Sequence, residues 1–478
     1  MADSFAPIAV RNPRTGQADY RFTPTDPDRV AAVTAALRRA QPAWAHRGVA
    51  DRVAVLQAWK ARLIEARDDL RQALLADTGR WRETVLEVDA VPRLIDRWCA
   101  EAPSLLQTPP ARPSRVVPFI GVDTILDPYP LVGVISPWNF PLLLSLIDTV
   151  PALLAGCAAA VKPSEVTPRF IEPLAATIAA VPDLAAVLAV LPGAGPTGAA
   201  LIGHVDAICF TGSVATGRKV GEAAAKAFIP AFLELGGKDP AIVTASADVE
   251  RAAAACLSGS ISNAGQACQS LERIYVDRRV YPAFLEALVE KAGRIRLAWP
   301  DPTEGEIGPI IFDRQAEIIA DHIADAVAKG ARCLTGGKVE RHGGGAWIAP
   351  TVMVDVTHEM TVMREETFGP LLPVMPFDTE EEAARLANDS AYGLSAAVFA
   401  GTEAEARAMA ARLQAGAVSI NDAALTAMVY DAEKNSYKLS GLGGSRMGAS
   451  GLTRFLRRKA LLINGAATPS PWWIAGPA

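Results

Sequence analysis

Between residues 27 and 76 apolar side chains recur every three or four positions, as Val30, Val33, Ala36 and Leu37 and then Val53, Leu56, Trp59, Leu63 and Ile64, set among charges. That period predicts amphipathic surface helices. Residues 103–118 are rich in proline and read as a connector, while the alternation Val122, Thr124, Leu126 ahead of Pro128 predicts an exposed hairpin arm of the kind that joins subunits. From Leu131 the rhythm changes to short unbroken apolar runs at 131–136, 158–161, 187–191, 207–210 and 232–235. Runs of this kind predict strands of a parallel sheet buried on both faces, hence an α/β fold. A second α/β run follows from residue 248 to about 421, with helices expected at 280–297, 313–329, 379–388 and 402–413 and strands at 273–277, 351–356, 371–377, 395–400 and 418–421. The longest apolar stretch, 142–161, is broken by Asp148, Pro151 and Gly156, which predicts a buried helix followed by a strand rather than a membrane span.

Four of the first strands end in polar or glycine clusters: Pro137-Trp138-Asn139, Lys162-Pro163-Ser164-Glu165, Thr211-Gly212-Ser213 and Gly236-Gly237-Lys238. In a doubly wound sheet, ligands bind beyond these carboxyl ends. Gly193-Ala194-Gly195-Pro196-Thr197-Gly198 matches the dinucleotide glycine pattern, yet no acid lies about twenty residues on, so the glycines are expected to form a turn near a cofactor instead. The segment from Phe210 to Gly217 places two glycines and a hydroxyl at a helix start, where backbone amides suit a pyrophosphate. Lys162 and Glu165 are either a solvated charge pair or a pair of ribose contacts.

Composition narrows the partners. The 478 residues suffice for two or three domains, half are apolar by type, and the net charge of −5 offers no field for nucleic acid or an anionic membrane. Six scattered cysteines without a CxxC pair, and five histidines without an HxxxH, argue against disulfide and metal frameworks. The first ten residues have no signal-peptide core, and a cytoplasmic protein with a small-molecule partner is expected.

The chemistry concentrates at Asn263-Ala264-Gly265-Gln266-Ala267-Cys268. A cysteine behind small residues is either a small buried hydrophobe or a thiol on a tight turn, with its own N–H aimed at any carbonyl oxygen the sulfur attacks. Upstream, Glu234 ends an apolar run and meets two glycines, an expensive place for a carboxylate unless a site uses it. Taken with Pro137-Trp138-Asn139-Phe140-Pro141, Lys162-Pro163-Ser164-Glu165, Phe210-Thr211-Gly212-Ser213, Glu234-Leu235-Gly236-Gly237-Lys238 and Glu365-Glu366-Thr367-Phe368-Gly369-Pro370, this stretch makes the chain resemble the aldehyde dehydrogenase superfamily over nearly its whole length.

The resemblance implies a Rossmann-type cofactor domain (1–112 and 131–236), an α/β catalytic domain (237–435) and a small β oligomerisation arm (113–130 and 452–466). It implies Cys268 as nucleophile, Asn139 as oxyanion donor beside the Cys268 N–H, and Glu234 as the base that hydrolyses the thioester. That last residue marks the hydrolytic, non-acylating branch. Lys162 is implied at the catalytic centre and on the ribose with Glu366, Ser213 on the pyrophosphate, Gly195 beneath the adenine and Phe368 against the nicotinamide. Trp138, Ser164 and Gly212 are further cofactor contacts. Glu165 implies NAD, with NADP possible, because relatives with this glutamate accept both. A homodimer or homotetramer is implied. Gln269 and Ser270 after the cysteine depart from the usual small or apolar residues. The segment 423–429 is small and apolar, and no arginine stands between 423 and 437, which points to an uncharged aliphatic or aromatic aldehyde. Two other readings are a non-catalytic or structural relative of the same fold and an esterase-like hydrolase using Cys268 alone.

Overall fold

The computed structural model describes residues 5–465. The C-terminal segment 469–478, with Trp472 and Trp473, lies outside them. Four helices, Pro27–His46, Val49–Glu65, Arg67–Thr78 and Trp81–Leu105, precede the first sheet. The first starts sharply because Pro27 occupies its opening turn and the Asp26 carboxylate accepts from Arg29 N at 2.7 Å. Its apolar stripe packs on the strands Leu131–Ile135 and Ala158–Lys162, with Trp44 Nε1 donating to Leu153 O at 2.9 Å. The fourth helix continues through Pro103 to Leu105, so the proline-rich connector begins later than its composition suggests.

The first sheet has six strands in the order Gly441–Leu442, Ala231–Glu234, Ala207–Thr211, Leu131–Ile135, Ala158–Lys162 and Leu188–Val190. All pairings are parallel except that of the Gly441–Leu442 edge. The stretch expected to hold one buried helix holds two, Pro141–Leu146 and Thr149–Ala155. Asp148 separates them because its carboxylate is drawn into a buried ion pair with Arg446 at 2.8 Å and a second with Arg454. No helix among the described residues is long and apolar enough to cross a membrane.

The second sheet runs Arg332–Cys333, Thr351–Val354, Leu371–Phe377, Leu271–Asp277, Asp239–Val243, Ser395–Phe399 and Ala417–Ile420. The strand Asp239–Val243 was hidden in the sequence behind Gly-Gly-Lys-Asp-Pro, which looks like turn chemistry. Asp239 is buried there because its carboxylate takes the Ser395 N–H at 3.1 Å and the Ser395 hydroxyl. Two hydrophobic cores result, one around the first sheet, from Val30 to Leu235 with Leu452 and Phe455, and one from Ala241 to Ala423 around the second.

The expected hairpin arm has a remote partner. Ile120–Pro128 pairs antiparallel with Leu456–Asn464 along its whole length, Ile120 opposite Asn464 and Pro128 opposite Leu456, and Arg112–Pro113 adds a short third strand. Period-two alternation foretells a strand and says nothing of its partner.

Candidate active site

Glu234 is the last residue of Ala231–Glu234, opposite Thr211 on one side and Gly441 on the other. The chain then turns through Gly236 and Gly237 because no side chain fits. A Cβ on Gly236 would stand 2.5 Å from Glu366 Oε2, and Gly237 N donates to Glu366 Oε1 at 3.0 Å.

The cysteine turn is built the same way. After the helix Val249–Ile261 a short 3-10 turn, Ser262–Gly265, carries three consecutive left-handed residues, Asn263 at φ 55°, Ala264 at 53° and Gly265 at 72°. Only glycine fits the third, since a Cβ would meet the Gly369 carbonyl at 2.3 Å. Holding two non-glycine residues in this region costs free energy, which a hydrogen-bond lattice offsets. Asn139 Nδ2 donates to Gln266 O at 2.9 Å, Asn263 Nδ2 to the same oxygen at 2.9 Å and to Asn139 O at 3.1 Å, and Gln266 Oε1 accepts from Ile311 N at 2.8 Å. Asn139 is thereby fixed to the turn that carries Cys268, and one of its two amide hydrogens is committed. Asn263 and Gln266 belong to the motif, and the resemblance assigns them no role. Their signal was amide side chains spaced among small residues, where the backbone needs partners.

One cavity of about 230 Å³ has Cys268, Glu234 and Asn139 on its wall together with Trp138, Gly212, Ser213, Glu366 and Phe368. Lys162, Ser164, Glu165 and Gly195 are not on that wall; they stand at the neighbouring strand ends. Lys162 Nζ donates to Gly193 O at 2.9 Å and to Glu165 Oε2 at 3.3 Å, and Ser164 Oγ accepts from Val166 N at 3.2 Å. Gly195 opens the helix Gly195–Ile202 with empty space where a side chain would project. The first glycine of that run serves packing, because a Cβ on Gly193 would lie 2.2 Å from Thr197 Oγ1.

Burial dominates the electrostatics. It pushes the Cys268 thiol up to about 11, with Lys434 the leading charge in the opposite sense. Burial, then Glu272, pushes Glu366 up to about 8. Burial also lowers Lys162. The loop holding Glu366 and Phe368 rests on a pair that sequence reasoning missed. Glu272 accepts from Thr367 N at 2.7 Å, Phe368 N at 2.8 Å and Lys238 Nζ at 2.6 Å, the first and last of them buried. Phe368, at φ 53°, then meets Trp138 edge to face at 5.4 Å. For a dinucleotide the fit is good. The helix Val214–Ala227 starts at the cavity rim with Ser213 as its cap, and a buried lysine beside a carboxylate ends the next strand but one.

Comparison with known proteins gives the family. A protein of Mycolicibacterium smegmatis, provisionally named succinate-semialdehyde dehydrogenase (NADP+), is 39% identical over 447 residues, covering 92% of this chain and 86% of that one. The 4,4'-diapolycopene aldehyde oxidase of a Methylomonas species is 37% identical over 98% of this chain and 88% of its own. Among solved structures, a provisionally named aldehyde dehydrogenase from Anabaena variabilis superposes with a TM-score of 0.96 at 57% identity, covering 98% of this chain and all of that one. The model of the aldehyde dehydrogenase family matches residues 1–461, and the chain belongs to that family.

Proposed function

We propose that the chain oxidises an aldehyde to the carboxylic acid through a thioester on Cys268, with NAD(P) as oxidant and water as the second reactant. The observation that carries this is the common wall shared by Cys268, Glu234 and Asn139, with Phe368 beside them. Because burial holds Cys268 as the thiol, its proton passes to water in the cavity as the bond from sulfur to the aldehyde carbon forms. The oxygen thereby becomes an oxyanion, received by the Cys268 N–H and the second amide hydrogen of Asn139, whose first is held by Gln266. Trp138 and Phe368 would hold the nicotinamide end of NAD(P), which would supply the acceptor for the hydride that leaves this carbon. The acyl group stays on sulfur as a thioester. Glu234 removes a proton from water, the water oxygen attacks the acyl carbon, and the carbon–sulfur bond breaks to release the acid. One aldehyde, one water and one oxidised cofactor give one acid, one reduced cofactor and one proton.

Lys162 and Glu366 are assigned to ribose hydroxyls, Ser213 and Gly212 to the pyrophosphate, Gly195 to the adenine side, and Trp138 with Phe368 to the nicotinamide end. Ser164 shapes the turn on which Glu165 stands. The Glu165 carboxylate beside Lys162 favours ribose hydroxyls over a 2′-phosphate, hence NAD, while the mycobacterial relative is named for NADP+. Exposed Leu425, Met428 and Val429 at the expected substrate mouth support an aliphatic or aromatic carbon chain. The non-catalytic reading is not favoured, since a binding module gains nothing from a nucleophile, a carboxylate and an amide on one wall. Following reduced cofactor across a panel of aliphatic, aromatic and acidic aldehydes, with NAD and with NADP, tests the reading. Turnover that depends on the cofactor and disappears in Cys268→Ala supports it; product formed without cofactor sinks it in favour of a simple hydrolase.

A further inference from the structure

Glu234 stands on the wall of a second cavity, about 160 Å³, lined also by Lys434, Asn435 and Ser436 and by glycine backbone at 441, 443 and 444. Lys434 is 8% exposed, and its ammonium is buried with no hydrogen-bond partner among the described residues. Three other buried cations are paired. Lys238 holds Glu272 at 2.6 Å, Arg446 holds Asp148 at 2.8 Å, and Lys162 has the Gly193 carbonyl at 2.9 Å. Taking an ammonium out of water without an anion is costly, so an unpaired one signals a partner that arrives later. Asp239, a carboxyl group close enough to feel Lys434, is committed to Ser395. The lysine backbone is fixed, with its N–H donating to Ser445 Oγ at 3.1 Å, so the side chain springs from a rigid point.

We infer that Lys434, with the Asn435 amide and the Ser436 hydroxyl, forms a subsite for an anionic group on the substrate, so that the preferred aldehyde carries a carboxylate a few carbons from its carbonyl. This rests on the proposed aldehyde chemistry at Cys268 and names the substrate class for that site. Glu234 lines both cavities, which puts the cavity of Lys434 next to the one that holds Cys268. Lys434 is also the leading charge opposing the effect of burial on the Cys268 thiol, which puts the ammonium within electrostatic range of the sulfur. Against the uncharged aldehyde that the lack of arginine between 423 and 437 suggests stands this buried lysine.

The test compares 4-oxobutanoate with butanal, equal in carbon number and different in charge, on the unaltered chain, Lys434→Met and Lys434→Arg. The ratio of their kcat/KM values is expected to favour the anionic aldehyde and to fall about thirtyfold in Lys434→Met, chiefly through KM, with partial recovery in Lys434→Arg. A parallel loss for both aldehydes means that Lys434 serves Glu234 or Cys268 instead, and overturns the inference, as does an unchanged ratio. A second readout needs no turnover: succinate should slow alkylation of Cys268 by iodoacetamide in the unaltered chain and fail to do so in Lys434→Met. Equal slowing by inorganic phosphate would mark a site for free anions and also overturns it. If neither aldehyde reduces cofactor, the oxidation reading fails by itself, and protection by succinate still decides the subsite.

Discussion

Cys268 sits in the tension that defines the site, since the burial that shelters its thiol also keeps it protonated. With the thiol pushed up to about 11, the thiolate fraction of the cofactor-free chain should grow about tenfold per pH unit across the neutral and mildly alkaline range. The alkylation rate of Cys268 is therefore expected to climb from pH 7 to pH 10 without a plateau. A plateau near neutrality would mean that charge, and not burial, sets this thiol. Gly265 is the matching backbone claim. At φ 72°, with the Gly369 carbonyl 2.3 Å from any added Cβ, Gly265→Ala should displace the cysteine turn and abolish turnover, while thermal melting separates that from general unfolding. The residues proposed to react were legible because each is a costly residue in a marked setting: Glu234 at the end of an apolar run, Cys268 behind small residues. Lys434 was not, because a lysine in a polar stretch looks solvated until its surroundings are known.

At the scale of elements, the loop carrying Glu366 and Phe368 has no regular structure of its own and takes its position from the strand Leu271–Asp277. The Lys238–Glu272 pair joins them out of water. Removing one partner leaves a buried charge uncompensated, so Glu272→Ala is expected to cost about 3–5 kcal/mol in denaturant unfolding and to raise the KM for cofactor. Full stability with an unaltered KM would show that the loop is placed by other contacts. Most strands of both sheets were legible as apolar runs, as the periodicity of buried parallel strands allows. Asp239–Val243 escaped because Pro240 and the preceding glycines disguised it. The paired helices at Pro141–Leu146 and Thr149–Ala155 merged into one because the Asp148 ion pairs involve residues some 300 positions away.

For the whole molecule, the arm is the feature a single chain leaves unexplained. Ile125, Leu462 and Ile463 are exposed on Ile120–Pro128 and Leu456–Asn464, an apolar surface on a two-sided ribbon. We expect these strands to join copies of the chain, so the native mass should be a multiple of one chain and should fall in Leu462→Lys with Ile463→Lys. An unchanged mass by light scattering would place the assembly surface elsewhere. Family membership was legible from the order and spacing of six motifs, since fold and chemistry both constrain them. The anionic subsite proposed at Lys434 was not, because it depends on which side chains meet around a cavity.

The account depends most on Glu234 acting after the acyl group is on Cys268. Mixing Glu234→Gln with an aldehyde and cofactor, then quantifying reduced cofactor and the mass of the Cys268 peptide, tests this directly. A burst of about one reduced cofactor per chain, followed by a stall with the acyl group on Cys268, is the predicted result. Undiminished steady turnover, or a Cys268 peptide of unchanged mass after the burst, would contradict it.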